Sequence, residues 1–235
     1  MVAPKMRKGT IMDKKEVSPM ITWLKIRCSD EKNFDFRPGQ FINLQVSEDS
    51  YRSYSICSDK PGGDIELVAL TGVPGLGANY IKNLQKGSPV SFVGPSGRFF
   101  YHVPARKRVI FLATSTGIAP FIPMMKLAVG DKEVEAVTLI FGVRNEEEVF
   151  FEDKFKKLEK SGKFKYLISL SGVYGDLKPP YYPGRVTALL PEYLKEGTDF
   201  YLCGNMDMIR DAFEIIKGAG LSDFAIYTES FNPNL

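Results

Sequence analysis

The chain has 235 residues, 44% of them apolar and 25% charged, with a net charge of +3. That length allows one large core or, more naturally, two cores of about 100 to 130 residues each. No apolar run approaches the roughly 20 residues that span a bilayer and no leader is legible, so a cytoplasmic protein without a membrane partner is expected. The charge is too small and dispersed to point to nucleic acid. Cys28, Cys57 and Cys203 lie too far apart for a disulfide framework, a zinc site or an iron–sulfur cluster. Any redox cofactor is therefore expected to be organic, and no metal site is expected.

The first segment carries Lys5, Arg7, Lys8, Lys14 and Lys15 and reads as solvated surface. Short β-rich runs follow at Ile21 to Cys28, Gln40 to Val46, Tyr51 to Cys57, Ile65 to Thr71 and Pro89 to Val93. They are broken by turn residues at the spacing of a small antiparallel barrel. One helix is predicted there, from about Gly77 to Leu84. The run from Tyr101 to Arg108 combines a proline with a charge cluster and reads as a connector, dividing the chain into domains at 1–103 and 104–235. Beyond it, buried-looking strands at Val109 to Ala113, Ala136 to Phe141, Phe164 to Leu170, Asp199 to Cys203 and Phe224 to Thr228 alternate with helical segments. Those helices fall near Ala119 to Val129, Glu152 to Lys160, Val186 to Leu194 and Met206 to Gly218, the pattern of a parallel α/β sheet.

The stretch Arg52-Ser53-Tyr54-Ser55-Ile56 puts Arg52 and Tyr54 on one face of a strand and Ser53 and Ser55 on the other. A guanidinium can grip a phosphate while a neighbouring tyrosine covers an aromatic or sugar surface. Ordinary strands carry such pairs too, so the weight rests on what accompanies them. In Pro74-Gly75-Leu76-Gly77-Ala78-Asn79-Tyr80 a glycine-rich turn runs into the predicted helix, whose first amides attract phosphate. Gly94-Pro95-Ser96-Gly97-Arg98-Phe99 offers glycines for close backbone approach and a ring that could pack on a ligand. In the second half a strand runs into Thr114-Ser115-Thr116-Gly117-Ile118-Ala119-Pro120, with Pro120 suited to an early helix position. Phe141-Gly142-Val143-Arg144 and Tyr201-Leu202-Cys203-Gly204-Asn205-Met206-Asp207-Met208 end strands at the carboxyl edge, where open α/β sheets bind ligands. His102 has no partner motif and reads as structural.

Together these stretches resemble the ferredoxin–NADP reductase superfamily, marked by an Arg-x-Tyr-Ser strand, a glycine-rich helix start, a Gly-Pro-x-Gly-x-Phe segment and a Cys-Gly-x-x-x-Met motif. The resemblance spans nearly the whole chain. It implies an N-terminal antiparallel Greek-key barrel that binds flavin and a C-terminal α/β domain that binds a nicotinamide dinucleotide. By that resemblance Arg52 holds the flavin pyrophosphate and Tyr54 lies along the flavin. Ser53, Val68, Leu70, Gly75, Gly77, Ala78 and Asn79 complete the pocket. Ser55 contacts the ring near N5. Ala78 stands where relatives commonly carry Ser or Thr, which leaves the backbone amides as phosphate ligands. Thr116, Gly117, Ile118, Ala119 and Pro120 match the family's Gly-Thr-Gly-Ile-Ala-Pro dinucleotide loop, with Ser115 in place of its first glycine. Gly142, Arg144, Gly204 and Met208 extend that site, and Cys203 abuts nicotinamide C4. Glu229 is placed close to the flavin–nicotinamide pair and Phe231 near the flavin face, so Ser55, Cys203 and Glu229 are the implied catalytic set.

The resemblance implies hydride transfer from NADH or NADPH to FAD, then electron release to a one-electron acceptor such as a ferredoxin, a flavodoxin or an oxygenase component. FAD is expected over FMN because Gly94 to Phe99 could receive an adenine end. Ser171-Gly172 lacks the Ser-Arg pair of NADP-selective relatives, so NADH is expected over NADPH, unless Lys178 or Arg185 substitutes. Two other readings compete. An electron-transfer subunit of a larger complex is disfavoured because relatives of that kind carry a cysteine cluster beyond the position of Cys203. A non-catalytic flavin or nucleotide sensor is disfavoured by the retained Ser55, Cys203 and Glu229.

Overall fold

A computed structural model describes residues 5–29, 33–103 and 105–230. Phe231 lies outside the described residues. The chain forms two compact units, one running through Phe100 together with Ala119–Met124, the other comprising Tyr101–Ile118 and the residues from Met125 onward.

The first unit is built from β1 (Met6–Ser18), β2 (Ile21–Cys28), β3 (Phe41–Ser47), β4 (Ser50–Ser55), β5 (Ile65–Leu70), α1 (Leu76–Asn83) and β6 (Pro89–Ser96). Its six strands pair antiparallel in the order β4-β3-β6-β1-β2-β5. The two edges meet where Ile56 bridges Leu67 and the Cys57 amide donates to the Glu66 carbonyl at 2.8 Å, which removes the open edge a flat sheet would present. Strand alternation sends Leu24, Ile26, Ile42, Leu44, Leu67 and Phe92 into one core, and Ile81 of α1 packs onto it. These elements agree with the β-rich reading of the first half.

β1 is the exception. Its basic residues suggest plain surface, yet it lies between β6 and β2 and pairs with both. Of its apolar side chains only Ile11 is fully buried, so the period-2 hydrophobic signal is too thin to read. Its lysines keep their charge outward while doing local work: Lys14 Nζ donates to the carbonyls of Lys82 at 2.6 Å and Leu84 at 2.8 Å, closing the carboxyl end of α1.

The rest of the chain forms β7 (Arg108–Thr114), a 3₁₀ turn at Ser115–Ile118, α2 (Phe121–Gly130, whose residues through Met124 group with the first unit), β8 (Ala136–Val143), α3 (Glu152–Glu159), β9 (Phe164–Leu170), β10 (Tyr181–Pro183), α4 (Val186–Leu189), β11 (Thr198–Gly204), α5 (Met206–Gly218) and β12 (Ile226–Ser230), which make up the second unit. All pairs in its six-stranded sheet are parallel, in the order β10-β9-β8-β7-β11-β12. The expected α/β domain is thus borne out. β10 carries no sequence signal because three residues ending in proline fall below the length of a readable strand. β11 is buried at every position, as a central parallel strand must be. One face of the sheet packs Ile110, Leu112 and Leu202 against Ile209, Ala212 and Ile216 of α5. Elsewhere the cross-strand neighbours Tyr227, Tyr201 and Phe111 stack at centroid spacings of 4.7 and 5.2 Å, and His102 stacks on Tyr227 at 4.1 Å. His102 therefore sits in packing, with its amide donating to the Tyr201 hydroxyl at 2.9 Å.

Strand order decides where a ligand fits. From β7 the chain adds β8, β9 and β10 on one side, then β11 and β12 on the other. The reversal opens a crevice at the carboxyl ends of β7 and β11, the general binding position of doubly wound sheets.

Candidate cofactor sites

In the barrel unit, Arg52 and Tyr54 are both half-buried on one face of β4. The start of α1 comes up against them: a Cβ on Gly77 would lie 2.6 Å from the Tyr54 hydroxyl and 3.2 Å from Arg52 Cγ. Glycine is needed there for close approach. No side chain caps α1 at Gly75 and no acid sits in its first turn. An uncapped helix start beside a guanidinium gives two independent reasons for an anion to bind. Burial pushes the Tyr54 phenol up to about 12, with Arg52 pulling the other way, so the ring stays neutral. Ser55 follows on the inner side, only 2% exposed, its hydroxyl without a hydrogen-bond partner among the described residues.

The remaining expected barrel residues fall less tightly. Ser53 is exposed and its hydroxyl donates to Asn43 Oδ1 at 2.7 Å. Ala78 is buried beside Gly77, whereas Asn79 is exposed. Val68 is buried and Leu70 half-buried on β5. In the Gly94 to Phe99 segment, Gly97 has φ +104 and lies against the Phe41 ring, and Phe99 is buried rather than presented to a ligand.

The sheet unit is assembled from backbone. A Cβ on Gly117 would collide with the carbonyl of Cys203 and come within 2.7 Å of Gly204 Cα, so the turn after β7 presses directly on the end of β11. Gly204, at φ +137, lies against Thr114, and the Asn205 amide donates to Thr114 Oγ1 at 3.0 Å. Gly142 packs against Val186 and Thr114. Gly117 thus meets Cys203 and Gly204, while Ala119 and Pro120, both buried, lead into α2, which starts two residues later than the predicted helix. Cys203 pairs in register with Glu229 across β11 and β12. Complete burial, reinforced by the Glu229 carboxylate, holds the Cys203 thiol well above its ordinary value, so it is a neutral S–H group.

A cavity of about 360 Å³ opens at the carboxyl edge of this sheet, lined by Ser115, Arg144, Ser171, Arg185, Asn205 and Met208 among others. Of the expected residues it contains Gly142, Arg144 and Met208. Ser169 and Gly184, which end β9 and follow β10, were missed because that edge is recognisable only once the strand order is known; Arg185, named above as an alternative 2′-phosphate partner, lines the same wall. Gly172 lies against Arg144, since a Cβ there would stand 2.9 Å from Arg144 Cγ. The start of α5 is closed by Asn205, whose Oδ1 accepts from the amides of Asp207 at 2.8 Å and Met208 at 3.3 Å.

Both places fit the groups their motifs imply. The barrel has a cradle that one methyl would fill and, on the opposite face of the same strand, an orphaned buried hydroxyl, and the sheet has a crevice at its reversal point. Two family descriptions match the chain, an oxidoreductase FAD-binding domain over residues 8–101 and an oxidoreductase NAD-binding domain over residues 111–214. The chain belongs to the ferredoxin–NADP reductase superfamily. Within that superfamily it is 28% identical over 230 residues to the toluate 1,2-dioxygenase electron transfer component of Pseudomonas putida, covering 95% of this chain and 67% of the relative. It is 28% identical over 218 residues to ferredoxin–NADP reductase B of Sorangium cellulosum, covering 86% and 87%. The crystal structure of an Amycolatopsis cytochrome P450 reductase superposes with a TM-score of 0.85 at 21% identity, over all of this chain and 73% of that one. FAD and a nicotinamide dinucleotide are accordingly the cofactors of this superfamily member. Among the described residues no helix is long and apolar enough to cross a membrane, and no group of three or more His, Cys, Asp or Glu is placed to hold a metal ion.

Proposed function

We propose that this chain is an NAD(P)H-dependent flavoprotein reductase that passes electrons one at a time to a small redox protein or an oxygenase component. Bound FAD and dinucleotide supply the hydride and single-electron chemistry, and the protein supplies binding and orientation. Arg52 and the α1 amides hold the flavin pyrophosphate, and the neutral Tyr54 ring covers the flavin. The orphaned Ser55 hydroxyl offers a hydrogen bond to the ring near N5. On the sheet, Thr116 to Ile118, Gly142 and Arg144 hold the dinucleotide. Cys203 positions its nicotinamide as a neutral thiol, with Glu229 beside it on the neighbouring strand.

The observation that carries this reading is the joining of Arg52, Tyr54 and Gly77 at an uncapped helix start, because two separated sequence motifs converge on one anion-binding spot. The names of the relatives, an electron transfer component of a dioxygenase and a ferredoxin reductase, support a one-electron acceptor. The test is reduction of ferredoxin, flavodoxin or cytochrome c by NAD(P)H with FAD-loaded protein. Bound flavin that is reduced by neither NADH nor NADPH would leave only a nucleotide-binding module. NADH is proposed over NADPH, since Gly172 supplies no guanidinium; anaerobic reduction that is clearly faster with NADPH would assign the 2′-phosphate to Arg144 or Arg185, which line the same cavity.

A further inference from the structure

The parallel sheet has a second cavity, at its amino edge, away from the crevice that the chain reversal opens. One face of the sheet forms its floor. Arg108 and Ile110 of β7, Thr138 of β8 and Lys165 of β9 share that face, with Thr138 in register with both Ile110 and Lys165. Glu192, Tyr193 and Lys195, which follow α4, complete a space of about 200 Å³. It shares no lining residue with the crevice at the carboxyl ends.

The polar groups here are unsatisfied. Thr138 is 2% exposed, yet its hydroxyl, on the cavity floor, has no hydrogen-bond partner among the described residues. Arg108 Nε is buried and equally orphaned, while Arg108 Nη2 donates to the Glu196 carbonyl at 2.5 Å, a neutral acceptor that does not pair the charge. Thr198, in register with Arg108 on β11 and 2% exposed, holds another orphaned hydroxyl. Lys165 Nζ lies 4.4 Å from the centroid of the Tyr193 ring. Three cations, Arg108, Lys165 and Lys195, thus stand against one exposed acid, Glu192, and the nearby Glu135 is taken by Lys107 at 2.7 Å. Buried donors left unmade are destabilising, and valine would fill the Thr138 position in a parallel strand without that cost.

We infer that this cavity binds a small oxyanion of the phosphate class, held by the Arg108 guanidinium, the Thr138 hydroxyl and the Lys165 and Lys195 ammonium groups. Donors converging from three strands and a loop match an anion that offers acceptor oxygens in several directions. The volume falls below the roughly 300 to 1,000 Å³ of pockets for drug-sized ligands, so the occupant is the free ion or a small phosphomonoester and not a nucleotide. The inference stands apart from the dinucleotide reading.

The test titrates the FAD-loaded full chain with inorganic phosphate by calorimetry at constant ionic strength, as wild type, Thr138→Val and Lys165→Gln. Wild type should bind one phosphate saturably. Affinity should fall about tenfold in Thr138→Val and about threefold in Lys165→Gln, with thermal midpoints in the absence of phosphate not lowered. NAD⁺ should not displace the ion. A parallel titration with glycerol 3-phosphate separates the two sources: tighter binding of the ester assigns the site to a phosphomonoester, tighter binding of phosphate to the free ion. Absence of saturable binding, wild-type affinity in either variant, or displacement by NAD⁺ overturns the inference. Should Thr138→Val fold poorly, the exposed Lys165→Gln decides alone.

Discussion

The two candidate cofactor sites are built by opposite means for the one task proposed for them, holding an anionic nucleotide. The barrel site is made of side chains brought to an open helix start, with Arg52 and Tyr54 on β4 facing Gly77 of α1. The sheet site is made of backbone held at close range, with Gly117, Gly142 and Gly204 allowing three chain segments to meet where a single methyl would not fit. Its nearby helix α5 is closed by its own Asn205, whereas α1 has no side-chain cap. A side-chain site should lose affinity under substitution while keeping its fold. A backbone site should lose both together.

The largest expected effect is at Gly117. Its Cβ would meet backbone rather than a yielding side-chain tip, so Gly117→Ala should lower the thermal midpoint by about 4 to 10 °C through overpacking and reduce NAD⁺ affinity at least tenfold. Calorimetry on the same sample reads both; a normal midpoint with normal NAD⁺ affinity would show that the sheet site is not built by close approach. Next is Arg52→Ala, which removes the charge-assisted bonds proposed for the flavin pyrophosphate. FAD affinity, followed by flavin fluorescence, should fall about 10- to 100-fold with little change in the stability of the flavin-free protein. Gly77→Ala separates the two modes most cleanly. Alanine favours helix over glycine by up to about 1 kcal/mol, so the flavin-free protein should hold its stability while FAD binding drops about fivefold through crowding of Tyr54 and Arg52.

The smallest effect is a control outside both sites. Asp199 is buried, and burial raises its carboxyl above the ordinary range, against the pull of the Arg106 amide and guanidinium. The folded protein therefore binds this proton more tightly than the unfolded chain. The group's favourable contribution is complete below the unfolded pKa and is lost as pH rises through the folded one. Urea midpoints measured from pH 4 to 7 should show a shallower decline in Asp199→Asn than in wild type from this group, with neither cofactor affinity altered at pH 7.

What could be read in advance follows the same division. Side-chain motifs were legible: Arg52 and Tyr54 share a face by simple alternation, and Gly77 signals a close approach whose partner the structure supplies. The long strands of the second unit were equally plain, since β7, β9 and β11 are nearly continuous apolar runs. The cavity wall was harder. Ser169, Gly184 and Arg185 become neighbours only through parallel pairing of β9 with β10, a three-residue strand. β1 escaped for a different reason: a strand that buries little more than Ile11 and Gly9 and surrounds them with lysines imitates a solvated tail. Ser115 was visible as a departure from the loop pattern, but its left-handed backbone, at φ +50, was not, because the sequence reports a residue type and not the φ forced on it.

The state of Cys203 bears on durability. Reduced flavins that meet oxygen generate peroxide, and a thiolate within reach would climb from sulfenic to sulfinic acid, the second step being irreversible without a dedicated repair enzyme. Wholly enclosed and kept protonated, Cys203 lacks the nucleophilic form that peroxide attacks, so the sulfur at this strand end should survive many rounds of uncoupled turnover that would consume an exposed cysteine.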